Sequence, residues 1–253
     1  MKKKIKINNK QKIICLTAYS RNMAEVIDKH CDIILVGDSL ANVIYAMENT
    51  HKISLDTMIM HATSVRKGTK KALLVVDMPK GSYNNLKIAK KNAKMVFNKT
   101  KCDAIKIESN GKNYKIINGL VKCGYNVMGH IGFTPQYFNK FEIKGTNDKE
   151  IKDLINDAIR IEEAGAFSVV LECIKTNVSK IITKKLKIPT IGIGSSKFCD
   201  GQVLVTEDLI GLSGFHPRFV KKYIDMKSII DKGIKKFKSD VKKGIFPEKN
   251  NSY

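Results

Sequence analysis

Four times along this chain a short, mostly apolar and β-branched run ends on an acid. Ile33-Ile34-Leu35-Val36 leads through Gly37 to Asp38, and Leu73-Leu74-Val75-Val76 leads to Asp77. Ala104-Ile105-Lys106-Ile107 leads to Glu108, and Val169-Val170-Leu171 leads to Glu172. Apolar runs of this length are strands buried on both faces, as in parallel sheets covered by helices. The C-terminal ends of such strands are where α/β folds gather ligands and chemistry. The chain must therefore fold so that several acids share one rim.

The rest of the chain repeats the unit. Further strands are read at residues 12–17, 126–132 and 188–194, with a weak eighth at Leu209–Leu212. Helices are expected at about 21–30, 54–68, 86–99, 110–123, 148–164, 177–185 and 218–243, separated by strands at a spacing of roughly 25–35 residues. Ser20 and Ser54 are placed to cap the first two, and Gly68 suits a C-terminal cap. The 253 residues match the size of one closed barrel. The expected fold is α/β, a single (β/α)8 TIM barrel over 1–253, with 1–11 a basic N-terminal lead-in. An open doubly wound sheet is the alternative, and would put the acids at a topological switch point.

Composition removes other classes. Hydrophobic residues make up 43%, enough for a large core, and no apolar run reaches the roughly 18 residues of a membrane span. Polar residues follow Met1-Lys2-Lys3-Lys4, so no secretory leader is read and a cytoplasmic location is expected. Six cysteines include no C-x-x-C pair and are expected to be reduced and mostly buried. The net charge of +22 invites a nucleic-acid reading. However, only Arg21, Arg66, Arg160 and Arg218 are arginines, and the lysines are dispersed. Base readout favours arginine, so solvated lysine faces are expected, with no nucleic-acid or membrane partner.

Acids crowded at one mouth repel unless a cation compensates. An oxygen-liganded divalent ion, magnesium or else manganese, is the economical solution. The competing explanation is that each acid caps the helix after it. Lys106 lies two residues before Glu108 and shares its side of the strand. It can neutralise a substrate carboxylate or act as a Schiff-base nucleophile. His130 can donate a hydrogen bond to substrate or serve the structure. His61 reads as packing and Cys173 as core. Gly192-Ile193-Gly194-Ser195-Ser196 lacks the dinucleotide fingerprint and is a tight turn or a close approach to ligand.

Together these residues resemble the ketopantoate hydroxymethyltransferase family. The likeness is carried by Leu16-Thr17-Ala18-Tyr19, Val36-Gly37-Asp38-Ser39-Leu40, Asp77-Met78-Pro79, Lys106-Ile107-Glu108, Gly129-His130-Ile131-Gly132-Phe133-Thr134-Pro135-Gln136, Leu171-Glu172-Cys173 and Cys199-Asp200-Gly201-Gln202. It implies transfer of a one-carbon unit from 5,10-methylenetetrahydrofolate to 3-methyl-2-oxobutanoate, through a Mg2+-stabilised enolate. By the same likeness Asp38, Asp77 and Glu108 are metal residues. Asp38, Ser39, Asp77, Lys106 and His130 hold the keto acid, and Glu172 is the catalytic acid/base. A homo-oligomer of ten subunits is implied. Ala41, Ala46, Met47, Lys80 and Thr146 depart from the family pattern in loops around the mouth. Competing readings are a magnesium-dependent lyase of 2-oxo acids, a basic nucleic-acid binder and a degenerate scaffold.

Overall fold

A computed structural model describes Ile5 and residues 11–138, 140–214 and 217–253. They form two compact units, Met1–Val205 and Thr206–Tyr253. Most of the basic lead-in read at 1–11 lies outside the described residues.

In the first unit eight parallel strands pair in chain order: β1 (Ile13–Thr17), β2 (Ile33–Val36), β3 (Leu73–Asp77), β4 (Ala104–Glu108), β5 (Val127–Gly132), β6 (Ser168–Glu172), β7 (Thr190–Ile193) and β8 (Gly201–Leu204). β8 pairs with β1, so the sheet closes and has no free edge. The result is the expected (β/α)8 barrel and not the open sheet. Helices α1 (Arg21–Ile27), α2 (Leu40–Val43), α3 (Leu55–Gly68), α4 (Leu86–Thr100), α5 (Tyr114–Lys122), α6 (Asp148–Glu163) and α7 (Thr176–Lys185) lie between the strands in sequence.

Alternation along each strand sorts the apolar residues into two cores. Ile33, Val75, Ala104, Met128 and Val170 fill the barrel interior. Their neighbours Ile34, Val76, Ile105 and Val169 belong to the layer between sheet and helices. Each fully buried Ile or Val contributes roughly 1.5–3 kcal/mol. Ser20, Ser54, Asn85 and Asn147 accept backbone N–H groups as side-chain caps of α1, α3, α4 and α6.

Four expectations are corrected. The eighth strand is Gly201–Leu204, not Leu209–Leu212. Gly201 packs so close to β1 that a Cβ would lie 2.6 Å from the Ile13 carbonyl oxygen, so the strand lacks an apolar signature. β7 passes to β8 through residues 194–200 with no helix between them. The short helix α2 stands just after β2, where no helix is expected. Gly68 is the last residue of α3 and not its cap; it lets α1 approach, since a Cβ there would meet the Arg21 carbonyl oxygen at 2.4 Å.

The second unit holds α8 (Thr206–Leu209) and α9 (Met226–Lys242). The helix expected from Arg218 starts at Met226, because Asp225 caps it through the Ser228 N–H. Upstream, Tyr223 and Met226 donate backbone N–H groups to the Leu209 and Ile210 carbonyls. No helix of the described residues is long and apolar enough to cross a membrane.

Candidate active site

Strand register assembles the site. Asp77 is the cross-strand partner of Lys106, Glu108 of His130, and Gly132 of Glu172. Ala104 faces the barrel interior, so the period of two turns Lys106 and Glu108 inward above it. An outward-facing Lys106 is thereby excluded. Asp38 follows β2 by two residues. Asp77, Glu108, His130, Lys106 and Asp38 are all buried, at 1 to 5% exposure. The Glu172 side chain keeps 17%, the half-open position in the set. Ser39 is half-buried, with its hydroxyl 2.8 Å from the Tyr19 hydroxyl.

None of the four acids is the cap residue of the helix that follows it. That role falls to Ser39 and Asn85 after Asp38 and Asp77, and to Asn113 and Lys175 after Glu108 and Glu172. The acids contact one another's neighbours instead. Lys106 Nζ lies 2.6 Å from Asp77 Oδ1 and 3.3 Å from His130 Nδ1. An ammonium only donates, so Nδ1 accepts and the neutral ring carries its proton on Nε2. Nε2 lies 3.2 Å from Glu172 Oε2. The Asp38 N–H donates to Asp77 Oδ2 at 3.1 Å.

Burial lowers the Lys106 pKa, but Asp77, Asp38 and Glu108 outweigh it and hold the ammonium above its ordinary range. Burial, reinforced by Asp38, pushes Glu108 well above the usual carboxylate value. Asp77 moves up for the same reasons, against the pull of Lys106. Burial raises Glu172 to about 7, with Lys106 opposing. His130 is driven well below its ordinary value by burial and then by the Lys106 charge. A neutral His130 beside a charged Lys106 follows.

The donor set suits a hard divalent ion, because three buried carboxylates face one ammonium. Asp77 Oδ1 is met by the Lys106 ammonium, but Glu108 Oε1 is buried without an aligned hydrogen bond, and such an oxygen is costly unless a cation meets it. Among the described residues no three His, Cys, Asp or Glu side chains already stand at metal-binding spacing. Magnesium commonly takes only one or two protein carboxylates and completes its shell with water and substrate.

Other sequence candidates fall outside this cluster. His61 Nδ1 donates to the Tyr19 carbonyl at 2.6 Å and its Nε2 meets the Tyr45 hydroxyl at 2.9 Å, so it packs the loop that carries Tyr19. Cys173 is buried beside the site. Gly194 sits in a tight turn at φ +57, where the Ser195 hydroxyl bonds the Ser179 hydroxyl. Cys15, Cys102, Cys173 and Cys199 are buried free thiols. Of the departures from the family pattern, Ala46 adopts φ +52, Lys80 Nζ reaches His51 Nδ1 at 3.3 Å, and Thr146 donates to Glu150.

Sequence reasoning assigned no role to Gln136 and Tyr83. Gln136 Nε2 donates to Asp38 Oδ2 at 2.8 Å, and its backbone N–H donates to Glu108 Oε2 at 3.0 Å. The Tyr83 hydroxyl donates to Gln136 Oε1 at 2.5 Å. Gln136 stands in a loop, where no periodicity marks a residue; its place in the stretch ending Thr134-Pro135-Gln136 was the available signal.

Comparison with known proteins agrees with this geometry. A family model described as ketopantoate hydroxymethyltransferase matches residues 2–249. The 3-methyl-2-oxobutanoate hydroxymethyltransferase of Pelagibacter ubique is 52% identical over 98% of this chain and 97% of its own. That of Anaplasma marginale (strain Florida) is 44% identical over 96% and 89%. Among solved structures, 2,3-dimethylmalate lyase shares the fold with a TM-score of 0.62 at 12% identity, over 97% of this chain and 88% of that one. With the family model matched across nearly the whole sequence and a relative more than half identical, this chain belongs to the ketopantoate hydroxymethyltransferase family.

Proposed function

We propose that the chain enolises 3-methyl-2-oxobutanoate at the mouth of its barrel and joins it to the one-carbon unit of 5,10-methylenetetrahydrofolate. The outcome, hydroxymethyl transfer giving ketopantoate for pantothenate synthesis, is the activity of its family. The observation that carries the reading is the pairing of a charged, buried Lys106 with an accessible Glu172 whose carboxyl is raised to about 7.

The Lys106 ammonium receives the substrate carboxylate, and the Ser39 hydroxyl lies beside the same pocket. Glu172 takes the C3 proton as that C–H bond breaks; its electron pair forms the C2–C3 double bond and the carbonyl pair moves to the keto oxygen. A base tuned near neutrality is efficient for this transfer. Neutral His130, close to Glu172 Oε2, steadies the base while its other nitrogen accepts from Lys106. Water adds to the folate's methylene carbon and both of its C–N bonds break, which releases tetrahydrofolate. Carbon 3 attacks that carbon at the formaldehyde level, and the oxygen on it takes the proton back from Glu172 to give the hydroxymethyl group. Lys106 acts by charge rather than as a Schiff-base nucleophile, because its ammonium stays protonated. Asp38 and Asp77, with Glu108 beside them, would hold Mg2+, which supplies Lewis-acid stabilisation of the enolate oxygen.

A cleft of about 570 Å3, lined by Ser109, Gly132, Thr134, Tyr137 and Arg160, supports room for the folate. Ser109 adjoins Glu108, and Gly132 pairs with Glu172. A homo-oligomer, probed as a decamer, is part of the same reading. It is supported by α9, which has no buried residue and exposes Ile229, Ile230, Ile234 and Phe237. A cytoplasmic location fits a pathway enzyme of this kind.

Incubation with 3-methyl-2-oxobutanoate, 5,10-methylenetetrahydrofolate and Mg2+ should form ketopantoate, and EDTA should stop it. Absence of product with folate and magnesium present would contradict the proposal.

A further inference from the structure

Gln136 is fully buried, and each polar atom of its side chain is engaged. Nε2 gives one hydrogen to Asp38 Oδ2 at 2.8 Å and the other to the Met78 carbonyl at 3.0 Å. Oε1 receives the Tyr83 hydroxyl at 2.5 Å. A carbonyl and a carboxylate only accept, so the amide can sit only this way round. The Gln136 backbone N–H fixes Glu108 Oε2 at 3.0 Å, and the Asp38 N–H fixes Asp77 Oδ2 at 3.1 Å. Each of the three acids thus has one oxygen tied to protein. Of the second oxygens, Glu108 Oε1 is buried without a hydrogen bond, and Asp77 Oδ1 meets only the Lys106 ammonium at 2.6 Å.

We propose that Gln136, braced by Tyr83, is a positioning residue that turns Asp38 and Glu108 so that each presents a single oxygen to a divalent cation. The inference rests on the enolising reading of the same site. A neutral amide suits the task. A cationic donor would cancel the charge that attracts the ion, and a carboxylate would repel Asp38. Tyr83 suits it too, because burial and then Glu108 hold its phenol far above the ordinary value, which keeps it an O–H donor. Outer partners of metal ligands typically govern affinity by about 10–100-fold.

The test is Mn2+ titration followed by electron paramagnetic resonance, without substrate, on the full chain and on Gln136→Met, Gln136→Glu and Tyr83→Phe. Folding is checked by circular dichroism. Folded Gln136 variants should bind Mn2+ about 10–100-fold more weakly, and Tyr83→Phe should move the same way by a smaller factor. The KM for the keto acid should rise and kcat fall, while the KM for the folate stays within about twofold of wild type. Should the Gln136 variants fail to fold, Tyr83→Phe decides, since it removes one hydroxyl only. Folded variants with Mn2+ affinity within about twofold of wild type would overturn the proposal, as would a wild-type chain that takes up no Mn2+. Weakened binding in variants of a chain that forms no ketopantoate would leave the positioning role standing and remove the enolising one.

Discussion

In the proposed reaction Glu172 and Lys106 divide the chemistry by charge. A carboxyl raised to about 7 favours its protonated form in the folded chain, so its ionisation opposes stability as pH climbs from the ordinary carboxylate range through 7. The activity should run the opposite way: proton abstraction rises with pH and levels above about 7, and Glu172→Gln removes the inflection along with most of the rate. A pH–rate profile of keto-acid turnover checks this, and an inflection near 4.5 would contradict it. Lys106→Met leaves Asp77 buried without its counter-charge, which costs about 3–5 kcal/mol in urea unfolding. Ala46 stands in a left-handed conformation that costs a side chain about 1–2 kcal/mol. Ala46→Gly should therefore raise stability by up to about 1 kcal/mol, a gain readable as a higher urea midpoint.

Strands deliver the proposed catalytic groups, and glycines decide how closely they stack. Gly132 has φ +97, and a Cβ there would lie 2.2 Å from the Glu172 carbonyl oxygen. Gly132→Ala should displace the end of β6 and slow turnover far more than a surface substitution, with folding retained by circular dichroism. The acids at the ends of β3, β4 and β6, and Asp38 beyond β2, were legible in the sequence because apolar runs fix the strands and a period of two fixes the facing. β8 was not legible, because Gly201 and Gln202 break its apolar pattern, Gly201 for a close contact with β1 and Gln202 to donate to the Ser196 carbonyl. The direct passage from β7 to β8 departs from the strand–helix repeat of the rest of the barrel, and no residue pattern in 194–200 marks it. Gln136 was hidden because its place depends on the path of the loop after β5, which local spacing does not encode.

Closure of eight strands brings together residues from position 38 to position 172, and that convergence makes the buried charges tolerable only as a set. In the proposed reaction the cleft beside the mouth takes the folate and the mouth takes the keto acid, as two separable half-sites. Arg160→Gln, at the outer wall of that cleft, should raise the KM for the folate by at least about threefold and leave keto-acid enolisation unchanged. On the proposed mechanism this mouth enolises a 2-oxo acid. Deuterium exchange at C3 of 3-methyl-2-oxobutanoate, followed by proton NMR, tests it most directly. Exchange collapses the methyl doublet to a singlet. Mg2+-dependent exchange without folate, suppressed by Glu172→Gln, is the expected result; no exchange by the wild-type chain with Mg2+, with or without tetrahydrofolate, would contradict an enolising site.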